Sequence, residues 1–78
     1  MDRYAVFRVG STFYRLHGLY TDERRAAEVY NGLVARMEAV LVRVHDAGGV
    51  TVLAAGGLNP DGVANDPVFL DAVRGAVG

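Results

Sequence analysis

The chain opens with two runs in which aromatic and branched residues crowd out polar ones, "RYAVFRV" at 3–9 and "TFYRLHGLY" at 12–20. Both have the composition of β-strands. Gly10-Ser11 between them fits a two-residue type II′ hairpin turn with glycine first. That turn predicts Val9 opposite Thr12, Phe7 opposite Tyr14 and Ala5 opposite Leu16, all on one face. The other face then carries Tyr4, Val6, Arg8, Phe13, Arg15, His17 and Leu19.

After residue 20 the apolar period lengthens. Thr21 is placed as a helix N-cap, with Asp22 and Glu23 at the positive end of the helix dipole. Ala26, Tyr30, Leu33, Val34 and Met37 recur at helical spacing, flanked by Ala27 and Val29. Arg24, Arg25, Glu28, Asn31 and Arg36 take the other side, so the pattern predicts an amphipathic helix of about four turns. Gly32 lowers the stability of that helix by about 1 kcal/mol relative to alanine, and it leaves room for another backbone to approach.

Alternation then returns. Val40, Val42 and Val44 alternate with Leu41, Arg43 and His45, and Val50, Val52 and Ala54 with Thr51, Leu53 and Ala55. A three-residue loop, Ala47-Gly48-Gly49, pairs Asp46 with Val50 and Val44 with Val52 and keeps the valines on one face. "NPDG" at 59–62 reads as a turn. A short helix follows, capped by Asp66, begun by Pro67 and ended by Gly75, with Phe69, Leu70 and Val73 as its apolar stripe.

The predicted order is ββαββα, an α+β fold with a four-stranded, mainly antiparallel sheet. Residues 1–57 form the ββαββ core, and 58–78 add a turn and a short helix to the same domain. The long helix is expected on the face made of Ala5, Phe7, Val9, Tyr14, Leu16, Val40, Val42, Val44, Val50 and Val52. A right-handed crossover allows the strand order 2-1-3-4. A β-grasp-like order, with strands 1 and 4 parallel, is the alternative.

That arrangement leaves a second sheet face holding Tyr4, Val6, Arg8, Phe13, Arg15, His17, Leu19, Leu41, Arg43, His45, Thr51 and Leu53, with no acidic residue. Aromatic, aliphatic and arginine side chains together make up the cores of protein interfaces. An open sheet face is normally polar. Tyr4, Val6, Arg8, Phe13, Arg15, His17, Leu41 and Arg43 are therefore the candidate partner-binding residues, for a partner protein or for self-association as a dimer. Two other readings use the same face. Tyr4, Phe13, Arg8, Arg15 and Arg43 have the chemistry that stacks and neutralises single-stranded nucleic acid. Alternatively, the C-terminal helix folds back and covers the face with Phe69, Leu70 and Val73.

Composition narrows the picture. With 78 residues the chain forms one domain, and its 51% hydrophobic and 22% charged content suits a globular one. A domain this small often leans on a disulfide, a metal or a partner, and cysteine is absent. The apolar runs are too short to span a bilayer, and the start lacks a secretory pattern. The expectation is a soluble, cytoplasmic protein. Net charge is −1, which argues against general nucleic-acid binding. All eight basic residues are arginine, a bias that a GC-rich genome also produces.

Catalytic and metal chemistry find little support. His17 and His45, even with Asp46, fall short of a metal ligand set. Ser11 lacks the "GxSxG" elbow, and Glu28 and Glu38 show no acid–base arrangement. "AAGG" and "AGG" match no phosphate-binding loop. "NPDGVANDPVFL" lacks the sixth-position glycine and final glutamate of a calcium loop. No catalytic residue, metal or cofactor is expected. The expectation is a non-enzymatic interaction module; size and lack of motifs suit accessory proteins of phages or mobile elements, such as inhibitors and virion components.

Overall fold

The computed structural model describes residues 1–78. Strands β1 (Arg3–Val9), β2 (Tyr14–Tyr20), β3 (Ala39–Val44) and β4 (Val50–Gly56) form one sheet. Its order is β2-β1-β3-β4, and every neighbouring pair is antiparallel. Helix α1 (Glu23–Val34) joins the parallel strands β2 and β3 over the inserted β1, and the short helix α2 (Pro60–Ala64) and α3 (Pro67–Val77) follow β4. The fold is α+β in the order ββαββα, and of the two strand orders weighed, 2-1-3-4 is the one found. No helix is long and apolar enough to cross a membrane.

Both sheet faces are covered, and by the opposite helices from those the sequence suggested. Helix α1 buries Ala26, Tyr30 and Leu33 against Tyr4, Val6, Ala39 and Leu41. Helices α2 and α3 bury Val63, Phe69 and Val73 against Ala5, Phe7, Val40, Val42 and Val44. The central strands explain the inversion. Tyr4–Phe7 and Ala39–Val42 are buried without a break, so both of their faces are apolar. A strand between two helical layers reads as a continuous hydrophobic run, and alternation then assigns no helix to either side.

Both hairpins are shifted by two residues from the expected register. In the first, Val9 pairs with Tyr14 and Phe7 with Leu16. The turn spans residues 10–13, and the Gly10 amide donates to the Phe13 carbonyl at 2.9 Å. In the second, Val44 pairs with Val50 and Val42 with Val52. The His45 amide donates to the Gly49 carbonyl at 2.8 Å, and Gly48, at φ 100°, turns the chain. A two-residue slip leaves every side chain on its face, so the hydrophobic pattern cannot distinguish these registers.

Bulges then change the faces further along. His17 is the extra residue between the pairs Phe7–Leu16 and Val6–Gly18, and it moves Leu19 to the face of Ala5. Leu53 plays the same part between Val42–Val52 and Leu41–Ala54. Leu19 and Leu53 therefore do not share a face with Tyr4 in the way strict alternation implied.

Helix boundaries follow their caps. Asp22, not Thr21, caps α1, its carboxylate accepting from the Arg24 amide at 3.0 Å. Met37 lies beyond the end of α1 and is exposed. "NPDG" begins α2 instead of forming an isolated turn: Asn59 caps it and Pro60 occupies its first turn. Helix α3 continues through Gly75 to Val77. The close approach expected at Gly32 is absent, since nothing lies within 4 Å of a Cβ built there.

Candidate interaction surface

Sheet topology divides the predicted binding residues into four groups. Tyr4, Val6 and Leu41 are buried beneath α1 and cannot meet a partner, which corrects the expected open face. Arg43 shares their face at the far end of the sheet and is committed to Asp2. Its Nε lies 2.8 Å and its Nη2 2.6 Å from Asp2 Oδ2. Only Arg8, Phe13 and Arg15 come together at the surface; with Val9 and Met37 they line a shallow cleft of about 160 Å³. His17 is exposed at the bulge of edge strand β2 and does not line this cleft.

The hairpin builds this group. Arg8 and Arg15 are directly opposed on β1 and β2. Like charges so placed repel and lower stability. Neither forms a salt bridge, although most other arginines do. Arg8 Nε is buried and has no hydrogen-bond acceptor within the protein. The Arg15 guanidinium sits over the Phe13 ring, 5.3 Å from its centroid. Such a cation–π contact orients the charge without neutralising it. Phe13 itself is 46% exposed, and its ring covers Gly10 so closely that a Cβ there would displace it.

Two apolar neighbours were not placed on this surface by the sequence. Met37, 41% exposed, borders Arg8 and Arg15. Val68, 49% exposed, meets Phe13 across a second cleft, of about 300 Å³, between the β1–β2 turn and the start of α3. Both come from segments distant in sequence; helical spacing assigned Met37 to the core stripe of α1, but α1 ends at Val34 and leaves it at the surface. The surface is thus two unneutralised guanidinium groups on a ridge of exposed apolar side chains. It is suited to carboxylate or phosphate oxygens beside an apolar group.

The opposite end of the sheet carries a polar cluster. His45 Nε2 lies 2.7 Å from Thr51 Oγ1, and His45 Nδ1 lies 3.7 Å from Asp2 Oδ2. The order hydroxyl–imidazole–carboxylate is that of a nucleophilic relay. Here the imidazole–carboxylate distance is too long for a hydrogen bond. The Asp2 carboxylate is also occupied by Arg43 and by the Asp46 amide at 2.9 Å. Those contacts, the Asp46 amide first, hold the Asp2 carboxyl below its ordinary range, and Asp2 in turn raises Arg43. The cluster ties the residues preceding β1 to the β3–β4 hairpin. No group of three or more His, Cys, Asp or Glu side chains is placed to hold a metal ion. No protein-family model, curated protein or solved structure shows a significant match to this chain.

Proposed function

We propose that the protein is a non-enzymatic protein–protein interaction module. Its contact surface is the tip of the β1–β2 hairpin rather than a sheet face. The observation that carries this reading is the opposed pair Arg8 and Arg15, unneutralised and set beside exposed Phe13. A small domain gives up stability by keeping two like charges together, and a carboxylate from a partner would remove that cost. Phe13, Met37 and Val68 supply the apolar contact around it. The favoured partner is a protein segment presenting an acidic side chain next to an apolar one.

Single-stranded nucleic acid is a weaker fit to the same residues. It needs a track of free cations along its backbone. Arg24 and Arg25 lie beside Glu28, Arg43 is bound to Asp2 and Arg74 to Asp71.

A photo-reactive phenylalanine analogue at position 13 tests the proposal in extract of the host cell, with Gly62, on exposed α2, as the control position. The expected result is a discrete adduct from position 13 that Arg15→Glu abolishes. An adduct at twice the protomer mass would identify the partner as a second copy. Equal labelling from positions 13 and 62 would overturn the reading. Binding to a labelled oligothymidylate at low salt, lost on adding salt, would favour nucleic acid instead.

A further inference from the structure

Helix α2 packs on β4 and α3 on β2. Between the second half of α3 and the β3–β4 hairpin lies a cleft of about 370 Å³. This is the largest concavity of the molecule, at the lower end of the range of small-molecule sites. Its floor is aliphatic: Val44 and Val50 from the sheet, Leu70, Val73 and Val77 from the helix.

The rim is charged. Arg3 and Arg74 both line the cleft, against Asp46 as the one carboxylate that does. Arg3 forms no ion pair; its Nη2 donates only to the Val77 carbonyl, at 3.3 Å. Arg74 contacts Asp71 through Nη1 at 2.9 Å. A guanidinium has five N–H donors, so most of the fork remains free. Asp71 balances the Arg74 charge and the amino terminus balances Asp46, each at 2.9 Å, so Arg3 leaves a single positive charge beside an apolar floor.

We propose that this cleft binds a small amphipathic monocarboxylate. Its aliphatic or aromatic body lies along Val44, Val50, Val73 and Val77, and its carboxylate is held by Arg3 and Arg74. The rim charge matches one negative charge, and guanidinium groups match the two oxygens of a carboxylate. The aliphatic floor offers little to a hydrophilic body; beyond the charged rim, His45 is the one polar side chain in the lining. This site is separate from the hairpin tip and does not depend on it.

Octanoate, kept below its micelle-forming concentration, is the probe, and amide chemical shifts of the whole chain are the readout. The expected result is saturable shifts at Val44, Val50, Val73 and Val77. Neutral octanamide should bind at least about tenfold weaker, the loss expected when a charge-assisted contact is removed. Arg74→Gln, on an exposed helical turn, should weaken octanoate binding while leaving the spectrum otherwise native. Absence of shifts at the four valines overturns the proposal, as does equal binding of octanoate and octanamide. Shifts confined to the β1–β2 hairpin would place carboxylate binding at the other surface and overturn it as well.

Discussion

The Tyr14 hydroxyl donates to Asp66 Oδ2 at 3.0 Å, while Oδ1 of the same carboxylate caps α3 by accepting from the Val68 amide at 3.0 Å. One side chain thus starts the C-terminal helix and fastens it to edge strand β2. The Tyr14 ring continues the fastening, standing edge-on to Phe69 at 5.4 Å, and Phe69 meets Phe7 at 5.9 Å. Tyr14→Phe removes only the hydroxyl contact and should cost about 1 kcal/mol. Asp66→Ala removes the cap as well and should cost about 2 kcal/mol. The double variant should lose less than the sum, because both changes delete the same bond. Chemical denaturation of the four proteins measures the coupling; strict additivity would mean that the bond contributes nothing.

The same pair has a pH signature. Burial, then the Asp66 contact, raises the Tyr14 pKa above its ordinary 10.0. A raised pKa means that folding favours the protonated hydroxyl. Its stabilisation is fully present below pH 10 and declines as pH rises through the folded value. Wild type and Tyr14→Phe should therefore converge in melting temperature only in the alkaline range.

Asp2 behaves in the opposite sense. Its carboxyl is held low by the Asp46 amide and then by Arg43. The folded state binds its proton less readily than the unfolded chain does. The stabilisation is present above the ordinary aspartate range and is lost as pH falls through it toward the lower folded value. Asp2→Asn should melt below wild type at pH 7, and the gap should close on acidification below about pH 4, the unfolded aspartate value. A gap that stayed constant down to pH 2 would show that the Asp2 charge is not what holds the β3–β4 hairpin.

Two glycines separate packing from propensity. A Cβ on Gly56 would collide with Val34 and lie 3.1 Å from the Tyr30 hydroxyl, where β4 passes beneath α1. Gly56→Ala should cost about 1–3 kcal/mol through this overpacking. Gly32, exposed within α1, has open space around it, so Gly32→Ala should gain about 0.5–1 kcal/mol. The close approach that the sequence suggested at Gly32 thus occurs at Gly56, on the strand opposite the helix.

What could be read from the chain follows the physics of each signal. Element order was legible because strand and helix periods differ. The sites of Asp66, Pro67 and Asn59 marked a cap and turns for the same local reason. The helix-to-face assignment was not legible, because Tyr4–Phe7 and Ala39–Val42 are apolar on both sides and favour neither helix. Registers escaped because a two-residue slip conserves faces, and the His17 and Leu53 bulges carry no signature in composition. For the same reason the sequence could not show which of the eight candidate residues share one exposed surface. Arg8, Phe13 and Arg15 meet, but Tyr4, Val6 and Leu41 belong to the core.

Arg8 offers the sharpest separation of stability from binding. Its Nε is buried without an acceptor, and it stands opposite Arg15. Each of these lowers stability, the first by desolvating a polar group and the second by repulsion. Its aliphatic stem, by contrast, packs usefully at the half-buried end of β1. Arg8→Met keeps the stem and deletes both costs, and it should raise the unfolding free energy by about 1 kcal/mol. The same variant removes half of the opposed cation pair, so photo-adducts from position 13 should weaken as the protein becomes more stable. Natural proteins tolerate such a cost where a site needs it. A destabilised Arg8→Met protein would make Arg8 a structural residue and would leave the hairpin tip without its reason to bind.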